Sequence, residues 1–232
     1  MYELMLDTAN LEELTKGIND WPVVGVTSNP SILKREGDID VYARLAAIKA
    51  LCGNRRSLHV QVVSETTDDI VDEAHYILRR LGSDVFIKIP VSAEGLPAIK
   101  RLAAEGVNIT ATAIYSALQG ILAVLAGAKY IAVYYNRMEN NCTDPNMVIR
   151  EIRSFIDNSH SDAKILAASF KNVSQVMEAY TNGAQSVTVN PSVIHAGLGM
   201  ASIGDAVRSF ANDFYEVHGV GQTMKTIGEQ NK

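Results

Sequence analysis

Polar and apolar positions along this chain alternate between two periods. Short apolar runs, rich in valine and isoleucine, are each followed by a stretch whose apolar residues recur every three or four positions. The first pattern belongs to strands buried on both faces, the second to amphipathic helices packed over them. Strand-like runs fall at residues 3–7, 23–27, 58–63, 85–90, 107–112, 130–135, 165–169 and 186–189. Helical periodicity follows at residues 11–18, 30–51 with a break at Gly37, 68–81, 92–104, 116–126, 144–157, 173–181 and briefly after Pro191. Over residues 68–81, for example, Ile70, Val71, Ala74, Ile77, Leu78 and Leu81 share one face. Thr8 or Asn10, Pro30 and Ser92 supply capping or helix-opening chemistry at three of the helix starts. A polar loop is expected over residues 138–144.

Eight strands, each followed by a helix across a connection of a few residues, predict a (β/α)8 TIM barrel. A doubly wound open sheet is the alternative fold. It is disfavoured because no glycine-rich nucleotide fingerprint follows the first strand and the repeat count reaches eight. A single barrel domain is expected over residues 1–218, including an additional helix over 203–217 placed to pack on a neighbouring subunit. Residues 219–232 are expected to form a polar, frayed tail.

One strand breaks the apolar rule. In Val85-Phe86-Ile87-Lys88-Ile89-Pro90, a lysine sits inside a β-branched run. Lysine is almost never buried without a partner, and an ammonium in low dielectric has its pKa lowered, which leaves an amine able to attack a carbonyl. The competing reading is a lysine whose stem lies along apolar surface while its head reaches water. Strand parity helps to decide between them. Leu4, Leu6, Val24, Val26, Val60, Val62, Ile87, Ile89, Ile109, Ala111, Ile131, Val133, Tyr135, Leu166, Ala168, Val187 and Val189 form a helix-facing apolar set. Asp7, Thr27, Asn29, Gln61, Lys88, Thr112, Tyr134, Ser169, Thr188 and Asn190 then converge on the barrel axis at the C-terminal strand ends, where barrel active sites lie. Polar groups so placed cost free energy unless they serve one another or a ligand. Lys129 and Lys164 stand at strand beginnings, at the opposite mouth. His59 shares the parity of Gln61 one layer deeper, as a hydrogen-bonded core histidine.

Composition removes several function classes. At 232 residues with 47% hydrophobic and 20% charged, the chain is ordinary globular material. A net charge of −5 argues against nucleic acid or an anionic membrane as partner. Cys52 and Cys142 lack the paired spacing of a zinc site, and a reducing cytoplasm is the expected location. No stretch approaches the apolar length of a membrane span. His75, His160, His195 and His218 have no metal-binding spacing, so neither metal nor cofactor is expected.

Leu6-Asp7-Thr8-Ala9-Asn10, Gly25-Val26-Thr27-Ser28-Asn29-Pro30-Ser31, Ile87-Lys88-Ile89-Pro90, Glu105-Gly106-Val107 and Leu166-Ala167-Ala168-Ser169-Phe170-Lys171 together resemble the small transaldolase family, in order and over nearly the whole chain. The resemblance is greatest to its fructose-6-phosphate aldolase branch. It implies a metal-free class I mechanism on sugar phosphates, in pentamers paired into decamers. Lys88 would be the Schiff-base lysine and Asp7 the carboxylate acting on substrate hydroxyls. Thr27 and Asn29 would orient the dihydroxyacetone unit, and Gln61, Thr112 and Tyr134 would hold a proton-relaying water. Transaldolases proper carry Glu and Phe where this chain has Gln61 and Tyr134. For the phosphate, Arg137, Ser169 and Lys171 stand near the mouth position where barrels often bind it. Thr110 and Ser28 depart from the residues usual in the branch, which leaves donor and acceptor preference open. The resemblance therefore implies an aldolase forming or cleaving fructose 6-phosphate, with a transaldolase as alternative. A catalytically silent sugar-phosphate binder and an acid/base isomerase are the other readings weighed. The isomerase lacks a carboxylate or histidine pair at the strand ends.

Overall fold

A computed structural model describes residues 2–230. In chain order its elements are β1 (Glu3–Asp7), α1 (Leu11–Asp20), β2 (Val23–Thr27), α2 (Pro30–Arg35), α3 (Val41–Cys52), β3 (Ser57–Gln61), α4 (Thr67–Leu81), β4 (Phe86–Pro90), α5 (Gly95–Ala104), β5 (Ile109–Ile114), α6 (Ala117–Leu125), β6 (Tyr130–Val133), α7 (Tyr135–Asn140), α8 (Pro145–Asn158), β7 (Lys164–Ala167), α9 (Val173–Thr181), β8 (Ser186–Val189), α10 (Pro191–Leu198), α11 (Ala201–His218) and α12 (Met224–Gln230). Strands β1 to β8 pair in parallel in sequence order, and β8 closes on β1. The predicted (β/α)8 barrel is therefore present, with α11 as the additional C-terminal helix. The described residues fall into two compact units, one ending at Val193 and containing the whole barrel, the other beginning at Ile194 and containing α11 and α12. No helix among the described residues is long and apolar enough to cross a membrane.

Burial explains why β4 holds Lys88 toward the axis. Ile87 and Ile89, its neighbours on either side, are fully buried. Each such side chain is worth about 1.5–3 kcal/mol. A slip of one residue would turn both toward the axis and drive the lysine among the helices. The register aligns Lys88 with Gln61 on β3 and with Thr110 on β5, which sets all three at one level.

At the opposite mouth, Glu3 accepts from Lys164 and from the Tyr130 hydroxyl at 2.9 Å. Lys129 donates to Asn108 Oδ1 at 2.6 Å. Both strand-start lysines thus close the structural end, as their positions predict.

Four local expectations change. Leu166 belongs to the interior cluster with Met5 and Ala132 rather than to the helix-facing set. The β6–β7 register agrees, pairing Ile131 with Ile165. The run Ile165-Leu166-Ala167-Ala168 is apolar on both faces, so alternation has no phase there, and only the neighbouring strands decide it. Strand β5 runs on to Ile114 through an irregularity after Ala111, where Ala113 takes φ 57°. Strand β6 stops at Val133, and residues 135–140, divided above between strand and polar loop, form α7. Tyr135 is drawn outward because its hydroxyl donates to Glu178 Oε2 at 2.7 Å and lies 2.8 Å from Asn146 Oδ1. Part of the expected frayed tail is helical. Thr223 and Thr226 exchange backbone-to-hydroxyl bonds at 2.8 and 3.1 Å, a reciprocal cap that starts α12. Residues 231–232 of that tail lie outside the described residues.

Gly95 opens α5 directly beneath the end of β4. A Cβ there would stand 1.9 Å from the Pro90 carbonyl oxygen, which is backbone and cannot yield cheaply. Gly95→Ala is expected to destabilise the fold by about 1–3 kcal/mol, the usual cost of forcing atoms into a packed site. Urea denaturation against the native chain measures it; an unchanged midpoint would show that β4 and α5 separate freely.

Candidate active site

The C-terminal ends of β1, β2, β4, β6, β7 and β8 surround a cavity of about 460 Å³. Asp7, Asn29, Lys88, Tyr134, Arg137, Ser169 and Lys171, all singled out from sequence, line it. Thr27 stands behind Asp7 and Thr112 behind Tyr134. Gln61 is not brought into this cavity: it lines an adjoining one of about 420 Å³ with Val62, Ser64 and Pro90. Its Oε1 is buried without a hydrogen-bond partner, although its register partner is Lys88.

Lys88 is 4% exposed. Its Nζ donates to the Ser28 carbonyl at 3.0 Å and forms no direct ion pair among the described residues. That carbonyl is held in place because the Ser28 N–H donates to the His59 carbonyl at 3.1 Å. Burial pushes the Lys88 pKa below its ordinary value of 10.5, and the Asp7 carboxylate opposes the shift only in part. Burial likewise raises Asp7 above 3.8, against the pull of Lys88 and of the Thr27 hydroxyl. Both shifts lean toward the neutral forms, and a neutral amine is the form that carries a free lone pair.

Asp7 is oriented through a hydroxyl chain. Thr27 Oγ1 donates to Asp7 Oδ1 at 2.6 Å and lies 2.6 Å from Thr188 Oγ1. With its only proton committed to Asp7, Thr27 must accept from Thr188. Asn29 caps α2, its Oδ1 accepting from the Ile32 N–H at 3.0 Å, which leaves its amide N–H groups for the cavity. Across the site, Thr112 Oγ1 donates to the Tyr134 hydroxyl at 3.1 Å. Burial raises the Tyr134 pKa, and the Thr112 bond and the nearby Arg137 charge offset part of that rise. The Arg137 guanidinium lies 4.7 Å from the Tyr134 ring centroid and donates weakly to Tyr115 Oη at 3.4 Å.

Two features of this rim were not legible in the sequence. Ser169 has φ 66°, in the left-handed region, and its carbonyl accepts from Asn136 N–H at 3.1 Å. Because β7 runs in the opposite phase to the one predicted, this turn rather than alternation brings Ser169 to the cavity, beside Ala168. Gln175 on α9 is the second. Its Nε2 donates to Asn136 Oδ1 at 3.1 Å and to Glu139, while its Oε1 accepts from the Lys171 N–H at 2.7 Å. One buried amide thereby ties the segment of Arg137 to that of Lys171. Ser31, Arg35, Asn136, Asn140 and Ser192 also line the cavity. They lie beyond the strand ends, where strand parity has no reach.

Below Lys88, His59 is fully buried, with Nδ1 2.8 Å from Thr110 Oγ1 and Nε2 2.9 Å from Ser57 Oγ. Its ring stacks on Phe86. It is the hydrogen-bonded core histidine expected above, and Thr110 is polar because it partners this ring.

Three comparisons bear on the site. A sequence profile described as Transaldolase/Fructose-6-phosphate aldolase matches residues 4–227. A protein of Streptococcus pneumoniae named probable fructose-6-phosphate aldolase is 50% identical over 215 residues, covering 93% of this chain and 97% of that protein. Among solved structures, a putative lactate oxidase from Pediococcus acidilactici superposes with a TM-score of 0.58 at 15% identity, over 84% of this chain and 64% of that one. The last likeness concerns the barrel fold alone.

Burial pushes the His59 pKa from 6.5 down to about 3, with the Lys88 charge adding to the shift. The unfolded chain therefore binds a proton at this residue below pH 6.5 that the folded chain refuses. Its stabilising effect is complete above pH 6.5 and is lost as pH falls toward 3. Between pH 7 and pH 4 this one residue is expected to cost about 3 kcal/mol. His59→Phe, although weaker at pH 7 through the unpaired Thr110 and Ser57, should lose correspondingly less on acidification. Urea midpoints of both proteins at the two pH values test this, and parallel losses would refute it.

Proposed function

The chain belongs to the transaldolase/fructose-6-phosphate aldolase family, and from that premise we propose that it is a class I aldolase interconverting fructose 6-phosphate with dihydroxyacetone and glyceraldehyde 3-phosphate. The observation that carries this reading is the buried Lys88 amine, without a direct ion pair among the described residues, facing a cavity whose rim holds Arg137 and Lys171. An amine so placed suits carbonyl attack, and the rim cations suit a phosphate.

In the cleavage direction, neutral Lys88 adds to the C2 ketone and water is lost, giving an iminium. Asp7 orients the substrate hydroxyls, and Thr27 and Asn29 support the dihydroxyacetone end. Arg137, Ser169 and Lys171 hold the phosphate. A water supported by Thr112 and Tyr134 removes the C4 hydroxyl proton, and the C3–C4 bond breaks with its electron pair passing to the iminium nitrogen. Glyceraldehyde 3-phosphate leaves, and an enamine of dihydroxyacetone remains on Lys88. Protonation at C3 and hydrolysis then return dihydroxyacetone and the free amine.

In a transaldolase the same enamine would attack an aldose phosphate. The phenol of Tyr134, held by Thr112, favours the aldolase ending because it can both donate and accept a proton at the enamine stage. We also propose a cytoplasmic homo-oligomer. Its support is α11, which buries none of its own side chains and exposes Val207, Phe210 and Val217.

Two experiments test the reading. Borohydride with fructose 6-phosphate should add the mass of a reduced dihydroxyacetone adduct at Lys88, and Lys88→Arg should abolish both adduct and turnover, to below about one ten-thousandth of native kcat/KM. Adduct formation at another lysine would overturn the assignment. With erythrose 4-phosphate present, Tyr134→Phe should lower free dihydroxyacetone relative to sedoheptulose 7-phosphate by about tenfold or more, the lower end of what general acid/base loss removes. A native protein yielding sedoheptulose 7-phosphate but no free dihydroxyacetone would be a transaldolase instead.

A further inference from the structure

The cavity holds one cation that the reaction above leaves unused. Arg35 is the last residue of α2, and its side chain lines the cavity with Asp7, Asn29 and Ser31. Its neighbour Glu36 cannot neutralise it, because Glu36 is paired with Arg44, which also donates to the Ala9 carbonyl at 2.8 Å. Arg35 forms no ion pair among the described residues. Asp7, the one carboxylate lining the cavity, feels its field but is already held by Thr27.

The barrel order sets the geometry. Arg35 follows β2, whereas Arg137 follows β6 and Lys171 follows β7. In a closed barrel of eight strands taken in sequence, β2 and β6 stand opposite each other. The cavity therefore has a cationic position on each side of its mouth, with Lys88 and Asp7 between them. One terminal phosphate satisfies the side of Arg137. A free guanidinium on the other side presents a planar fork of donors suited to a second phosphate. A cavity of about 460 Å³ also lies within the range that encloses small ligands.

We propose that Arg35 is a second anion-binding position and that the cavity takes ketose bisphosphates, with a phosphate at each end of the carbon chain, in addition to monophosphates. This rests on reading the cavity as a ketose-phosphate site.

The test uses fructose 1,6-bisphosphate as a competitor of fructose 6-phosphate cleavage, read as free dihydroxyacetone. Only the monophosphate can release that product, since cleavage of the bisphosphate would give dihydroxyacetone phosphate. The inhibition constant of the bisphosphate is expected to lie about fivefold or more below the KM of the monophosphate. In Arg35→Met that ratio should collapse toward one, while Arg137→Met should raise both constants. A bisphosphate that competes no better than the monophosphate in the native protein overturns the proposal. So does an Arg35→Met variant that weakens both sugars alike, which would make Arg35 a general rim charge. Calorimetric titration of both sugars into Lys88→Arg reads the same ratio without turnover. A protein that binds both yet releases no dihydroxyacetone would sink the aldolase reading while leaving the role of Arg35 decided by that ratio.

Discussion

A primary amine placed almost wholly out of water is the constraint on which the rest of this structure depends. Holding an ammonium there is costly, so burial lowers the pKa of the amine, and no carboxylate among the described residues pairs with it directly to offset that. The Ser28 carbonyl takes one Nζ proton, and Asp7 acts at longer range. An adjacent carboxylate would have stabilised the charged form and opposed the lowering of its pKa. The fully buried Ile87 and Ile89 hold the strand in the one register that puts Lys88 on the axis. The stability of the barrel wall and the lowered pKa of the lysine are thus consequences of the same packing.

The polar groups around that amine are arranged in supported pairs. Thr188 and Thr27 form a chain that ends on Asp7, and Thr112 holds the Tyr134 hydroxyl. The first draws on β8, β2 and β1, and the second joins β5 to the residue that follows β6, so the barrel closure sets their geometry more tightly than loops could. The side of the cavity that holds Arg137 and Lys171 is built differently. Arg137 sits on α7 and Lys171 on a loop, and neither has a strand to fix it. Gln175 supplies the missing rigidity by bonding both segments, and the Tyr134 ring beneath Arg137 limits where the guanidinium can lie. That stacking also brings the cation expected to meet the phosphate into contact with the phenol expected to move protons.

The layer beneath the site shows how a departure from the family pattern is accommodated. A histidine at position 59 would be a liability in an apolar barrel. Here both ring nitrogens have partners in Thr110 and Ser57, and its face is stacked on Phe86. Thr110, which looked from the sequence like a change near the substrate, is accounted for by this ring.

Much of the fold was legible in the sequence because it rests on local periodicity. Eight buried strands alternating with amphipathic helices admit few topologies, and the lysine inside a β-branched run stood out for the same reason. Alternation also placed Asp7, Thr27, Lys88, Thr112 and Tyr134 on the axis, since polar groups marked the phase of those strands. Strand β7 offered no such mark, being apolar on both faces, and its phase was decided only by hydrogen bonding to β6 and β8. Ser169 reached the cavity through a left-handed backbone turn that no alternation describes. Gln61 kept the expected level beside Lys88 yet opened onto a different cavity. Arg35 and Gln175, on helices, were invisible as site residues because their relation to Lys88 exists only once the barrel has closed. Periodicity reports which face of an element meets the core. Which elements then meet each other across the mouth is a property of the assembled barrel, and only the tertiary structure could decide it.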